Sequence, residues 1–491
     1  MSVWVDEEEI LSTKSYPPSL AARATADKNP KQIQITKIPP VFAKATPWQD
    51  FQNNIRHAQE YLSMPPDFIS NKGSIYKRSY RTDFEGKWPE EKSKLEQLIK
   101  YFHIMKSYQK TLAILCLLML FFSCHDSRVK DDRNRIQSNP GPTEVQLESI
   151  RTSKKKDKFV LSKSGAEFLA WGVNYDRDDG GRLLEDYWLK EWATVVEDFK
   201  EIKGLGANVV RVHLQIAKFM KTSKELDQTS LKQLTRLVKL AEETGLYLDI
   251  TGLGCYHKDE VPGWYKAMDE AQRWNVQARF WEEIAKTCAD SPAIFCYDLM
   301  NEPIIPGKGE KQKEWLTGEL AGKYYVQRIA LDLAGRTQKQ VARAWVDKLV
   351  AAIRKYDKEH LITVGVIPWA YSFFPKVKEP LFYAREVGDN LDFVSVHFYP
   401  KKGEIDKALK ALAVYDIGKP LVIEELFPLW CSQEEMEVFI DGSRKIAEGW
   451  ISFYWGKTIN EYAEDKDNPT SVLINNWLKY FQKKSTEITG K

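Results

Sequence analysis

Across residues 160–485, short β-branched and aromatic runs alternate with longer stretches in which apolar positions recur at helical spacing. The short runs fall at 168–175, 207–214, 246–251, 294–301, 361–366, 393–399, 420–425 and 450–455. Their near-continuous apolarity predicts strands buried on both faces. Amphipathic stretches at 191–205, 230–244, 276–288, 342–356, 405–415 and 432–448 predict helices between them, with a short one at 381–387 and a last one at 471–482. Eight strands and eight helices in alternation predict an α/β architecture, a (β/α)8 TIM barrel over residues 159–485. A doubly wound open sheet is the alternative, but Trp171-Gly172-Val173-Asn174 in the first strand is not a Gly-rich phosphate loop.

Upstream the pattern changes. Residues 112–122 (LAILCLLMLFF) form one apolar run, preceded by Lys106 and Lys110 and followed by Ser123-Cys124. At this length it reads as a secretory signal rather than a spanning helix, which needs about 20 apolar residues. The ending FFSC resembles a bacterial lipoprotein signal, which implies that Cys124 is lipidated and becomes the mature N-terminus. Residues 105–124 are therefore expected to export the chain to the cell envelope or beyond, tied to the membrane by a lipid. Residues 1–104 precede this signal and hold nine of the 22 prolines but only Gly73 and Gly86 of the 26 glycines. Either translation starts at Met105, or residues 1–104 are a cytosolic extension and the apolar run is an uncleaved anchor of a single-pass membrane protein. Residues 125–158 are polar and charged and read as a solvated linker.

Composition narrows the function. Lys+Arg 72 against Asp+Glu 69 leaves a formal charge of +3, too balanced for a dedicated nucleic-acid binder. The six cysteines form no CxxC, and the seven histidines form neither HxH nor HExxH, so no metal site is expected. The 16 tryptophans exceed what a core needs, and 13 of them lie in the barrel region. Trp188, Trp264, Trp315, Trp369 and Trp430 fall in strand-to-helix loops or at strand ends, where stacking on sugar rings is as plausible as packing.

Barrel active sites stand at the C-terminal ends of the strands. There the fourth strand ends in Asn301-Glu302-Pro303 and the seventh in Glu424-Glu425. Carboxylates on buried strands are costly unless they have partners or work, and a pair of them is the chemistry of glycoside hydrolysis. Arg211 closes the second strand and can hold a carboxylate ionised. His397 and Tyr399 are two apart at the end of the sixth, and Trp455 ends the eighth. Glu424 and Glu425, as neighbours on a strand, are expected to point to opposite faces, so that only one meets the site.

Taken together, GANVVRV, FCYDLMNEP, FVSVHFYP, KPLVIEEL and WISFYWG resemble the cellulase-type family of glycoside hydrolases, a retaining family of clan A that includes cellulases and mannanases. The resemblance implies that Glu302 is the general acid/base and Glu425 the nucleophile. Asn301 would bond the sugar 2-hydroxyl, and Tyr399 and Arg211 would hold Glu425. His397 would contact substrate or acid/base, and Trp455 would stack in the reacting subsite. Members often carry His at the end of the third strand, whereas this chain has His257 only after Gly254; it and Trp369 are carried as substrate contacts. The expected activity is retaining hydrolysis of a β-linked glycan, β-1,4-glucan or mannan, by a monomer that needs no cofactor. The alternative is a surface glycan-binding lipoprotein without catalysis.

Overall fold

The computed structural model describes residues 147–490, apart from Arg177, Asp179, Ala321, 369–370, 372–378 and Tyr454. The segments read as extension and signal, with Cys124, lie outside the described residues, as does Trp369. Among the described residues, no helix is long and apolar enough to cross a membrane.

Parallel strands form one sheet: β3 (Ala170–Asn174), β4 (Val209–Gln215), β5 (Tyr247–Gly254), β6 (Ile294–Asp298), β10 (Leu361–Thr363), β11 (Gly365–Val366), β12 (Val394–His397), β13 (Leu421–Leu426) and β14 (Gly449–Ser452). Their order is β10-β6-β5-β4-β3-β14-β13-β12-β11. Because β10 and β11 are one strand interrupted at Val364, the sheet closes on itself as eight staves. The fold is a (β/α)8 TIM barrel. Each observed strand lies within a few residues of its predicted run, and all of these strands are buried along their whole length.

The outer helices are α1 (Trp192–Gly204), α2 (Gln228–Thr244), α3 (Glu270–Cys288), α4 (Gln338–Arg354), α5 (Ile405–Leu412), α6 (Gln433–Ser443) and α7 (Pro469–Thr489). Their ends carry local chemistry. Asp227 caps α2 by accepting from the N–H groups of Thr229 and Ser230, and Gly245 ends it at φ 66°, a conformation in which a Cβ would be strained. The stretch at 381–387 is not an α-helix: Leu381–Tyr383 forms one 3-10 turn opening after Pro380.

Two features differ from the sequence pattern. The segment read as linker up to 158 enters the fold earlier, as the antiparallel hairpin of β1 (Ile150–Thr152) and β2 (Phe159–Leu161). Its Phe159 meets Phe295 and Phe393 edge-on, each at 5.2 Å, and seals the N-terminal pole of the barrel. Alternation over three residues per strand is too short a signal to stand out from a charged background. The long connection after β6 is a three-stranded sheet of β7 (Pro303–Ile304), β8 (Leu316–Leu320) and β9 (Lys323–Arg328). It folds back onto the loop after β5: Tyr324 N–H donates to Tyr256 O at 2.9 Å, and Gln327 Nε2 donates to Leu253 O at 2.9 Å.

Candidate active site

Parallel pairing sets polar residues of neighbouring staves at one level. Asn174 is in register with Arg211, and Arg211 with Asp249. Arg211 is fully buried, and its fork collects the site. Nη1 donates to Asn174 Oδ1 at 2.9 Å and to Glu425 Oε1 at 2.8 Å. Nη2 donates to Asp298 Oδ2 at 2.9 Å and to Asn301 Oδ1 at 3.0 Å. A planar guanidinium suits this arrangement, with several acceptors around two terminal nitrogens. Burial opposes its charge, but Glu424, Asp298 and Glu425 around it keep the cation.

Glu302 follows β6 at the mouth of the barrel with φ 48°, in the left-handed region that side chains seldom occupy. Its N–H is anchored on Gly365 O at 2.9 Å, and its Oε1 stands 2.8 Å from His397 Nδ1. Burial raises the Glu302 carboxyl against the opposing pull of His397. Glu425 accepts from Tyr399 OH at 2.7 Å on Oε2 while Arg211 holds Oε1. One oxygen of each glutamate and a ring nitrogen of His397 lie within 4.8 Å of one another.

The expectation that only one of Glu424 and Glu425 faces inward is corrected. The ladder pairs Val396 with Ile423 and then His397 with Glu425, so Glu424 is an extra, bulged residue. The bulge breaks the alternation, and both carboxylates reach Arg211: Glu425 at 2.8 Å and Glu424 at 3.4 Å. Glu424 lies deeper, fully buried, with Oε2 3.4 Å from His397 Nε2. Burial would raise it, but Arg211 and His397 bring it down to about 2. Burial likewise works against a charged His397, yet Glu425, Glu302 and Glu424 outweigh it and hold the imidazole up to about 10.

Of the residues predicted for the site, the structure brings together Glu302, Glu425, Arg211, Asn301, His397 and Tyr399. Asn301 is oriented from two sides, since its Nδ2 also donates to Tyr325 O at 2.8 Å. Trp455 is buried beside them; its backbone N–H donates to Asn174 O at 2.7 Å, and its ring meets Tyr175 edge-on at 5.8 Å. His257 stands apart, its Nε2 3.9 Å from Asp186 and not on either glutamate. Trp188 is also no rim residue: it is buried against Phe219 at 6.1 Å. Trp315 lies under the Arg273 guanidinium at 4.2 Å.

Sequence reasoning did not place Asn174, Asp249 and Asp298 in the site. All three are fully buried polar residues inside apolar strands, and that was the available signal. His213, two residues past Arg211, is buried too; burial, then Arg211 and His397, push it well below its ordinary range, so its ring is neutral. Asp249, Cys296 and Glu424 also converge within 4.8 Å. Burial pushes the Cys296 thiol and the Asp249 carboxyl of this group well up.

A family model described as cellulase (glycosyl hydrolase family 5) matches residues 162–489. Mannan endo-1,4-beta-mannosidase 5 of Arabidopsis thaliana is 27% identical over 122 residues, 23% of this chain and 22% of that protein. Mannan endo-1,4-beta-mannosidase A of Emericella nidulans is 24% identical over 233 residues, 44% of this chain and 53% of that protein. The chain thus spans from about a fifth to about half of the length of these relatives. Among solved structures, an exo-beta-1,4-mannosidase from Opitutaceae bacterium strain TAV5 shares the fold with a TM-score of 0.50 at 17% identity, over 69% of this chain and 62% of that one. With the family model extending across the whole barrel, this chain belongs to the cellulase family, glycosyl hydrolase family 5.

Proposed function

We propose that the protein hydrolyses β-1,4-linked glycans of the mannan type with net retention of anomeric configuration. The observation that carries this reading is the close approach of the two glutamates at the barrel mouth, where one carboxyl oxygen of Glu302 and one of Glu425 lie within 4.8 Å of each other. Retaining enzymes hold their two carboxyls about 5–5.5 Å apart, whereas inverting ones leave roughly 6.5–9.5 Å for a water. The roles divide by environment. Burial raises the Glu302 carboxyl, the direction that favours holding the proton that the leaving oxygen needs. Glu425, fixed on both oxygens by Arg211 and Tyr399, presents a carboxylate.

In the first step Glu425 bonds to the anomeric carbon as the glycosidic C–O bond breaks, and Glu302 gives its proton to the departing oxygen. In the second, Glu302 takes a proton from water as that water displaces Glu425, which leaves as a carboxylate. The names of the relatives favour mannan over glucan, and a 17%-identical structural likeness adds only the fold. Reducing-sugar release from a panel of mannan, β-glucan and xylan, with the anomer of the first product followed by proton NMR, tests the reading. Mannan cleavage giving the β-anomer first is expected. Binding of glycans without release of any sugar would favour a glycan-binding lipoprotein instead.

A further inference from the structure

The bulge that turns Glu424 inward places a second carboxylate beneath the pair assigned to catalysis. Glu424 touches no solvent and sits at the far end of a line of groups: Glu424 Oε2, His397 Nε2 at 3.4 Å, then His397 Nδ1 and Glu302 Oε1 at 2.8 Å. Room for this line is made by Gly365. A Cβ there would stand 2.4 Å from Glu424 Oε2, 2.8 Å from His397 Nε2 and 3.1 Å from Asp298 Oδ2. Neither ring nitrogen of His397 is spare, and both face carboxyl oxygens, an environment that suits a ring donating from both sides.

We propose that Glu424 is a positioning residue, which holds His397 as an imidazolium aimed at Glu302 and thereby sets the pH range over which Glu302 carries the proton it donates. This rests on Glu302 being the acid/base. The groups facing Glu424 come from four other staves: Arg211 on β4, Asp249 on β5, Cys296 and Asp298 on β6, and His397 on β12, with Glu425 beside it on β13. Glu424 also holds Arg211, which it shares with Asp298 and Glu425, but on His397 it is the carboxylate that meets Nε2, while Glu302 and Glu425 meet Nδ1. Burial and the neighbouring Glu424 drive Asp249 well above the carboxylate range, so it faces Glu424 as a neutral acid and adds no second negative charge. With His397 cationic, its charge and hydrogen bond lower the Glu302 carboxyl; with His397 neutral, that restraint is lost and burial raises Glu302 further.

The test is Glu424→Gln in the full chain, which keeps shape and removes charge. The first readout is the ¹⁵N NMR titration of His397 in protein labelled at histidine. In the wild type the ring is expected to stay protonated through neutral pH, and in E424Q its midpoint should fall by about three units, to near neutral pH, where the ring becomes neutral as Glu302 titrates. The second readout is the pH profile of kcat/KM, whose alkaline limb should move upward in E424Q while Glu424→Asp, which keeps the charge, stays near the wild type. Loss of thermal stability with an unmoved His397 titration would mean a merely structural role and overturn the proposal. So would a wild-type His397 that titrates near 6.5, a measurement that needs no variant to fold. If His397 shifts in E424Q yet the wild type releases no sugar from any glycan, hydrolase activity fails and the Glu424–His397 coupling stands.

Discussion

A Cβ on Gly365 would stand 2.4 Å from Oε2 of Glu424, a residue 59 positions further along the chain. The fifth stave is split at Val364, and its second piece can pass the convergent carboxylates only because that position is bare. Gly365 also receives Glu302 N–H on its carbonyl and donates its own N–H to Asp298 Oδ1 at 2.8 Å, so it cannot simply withdraw. Gly365→Ala is therefore expected to cost roughly 1–3 kcal/mol of stability by overpacking and to lower kcat at least tenfold. Denaturant unfolding and steady-state kinetics on the same preparation check both halves.

Glu425→Gln should abolish hydrolysis while leaving glycan binding in place, because the amide keeps the shape but cannot form the ester intermediate. Isothermal titration with a mannan oligosaccharide and a reducing-sugar assay separate the two. Normal turnover in this variant would move the nucleophile to another carboxylate.

Arg211→Lys should behave as a severe change although it conserves charge. The fork makes four hydrogen bonds at 2.8–3.0 Å, and an ammonium has three donors on a single nitrogen, so at least one buried acceptor loses its partner. Breaking a buried ion network typically costs about 3–5 kcal/mol. A markedly lower melting temperature together with a collapse of kcat is expected, and a variant with wild-type kcat would contradict the role given to the fork.

Stability should also depend on alkali in a way that can be traced to one ring. His397 is raised from an ordinary 6.5 to about 10 in the fold, so its contribution is complete below pH 6.5 and disappears as pH climbs through about 10. Glu424 works at the other end: lowered to about 2, it contributes above pH 4.5 and is lost as pH falls toward 2. Melting temperatures between pH 6 and 10 should decline in the wild type, and the decline should be shallower in His397→Gln.

The barrel was legible because its staves are buried on both faces, which writes each as a compact apolar run; all eight appear in the sequence within a few residues of their place. Glu302, Asn301, Arg211, His397 and Tyr399 stood out as polar residues at the ends of such runs. Glu424 stood out with Glu425, but strict alternation admits only one of the two to the site, and the bulge between Ile423 and Glu425 turns both inward. Asn174, Asp249 and Asp298 were hidden for a different reason: their meaning comes from lateral register with Arg211 and Thr251 on neighbouring staves, a relation across 37 residues or more of chain. His257 has the residue type of a sugar contact, but its position after the stave sends it toward Asp186.

Glu302 holds a backbone conformation that glycine adopts freely and glutamate does not. The residue proposed as acid/base thus sits in a strained backbone conformation. Glu302→Gly should give a barrel that no longer turns over glycan yet melts higher than the wild type, since it sheds both the strain and a buried carboxyl whose Oε2 has no hydrogen-bond partner among the described residues. In these terms the proposed chemistry and the stability of the fourth stave's end pull in opposite directions, and calorimetry on that one variant measures how far.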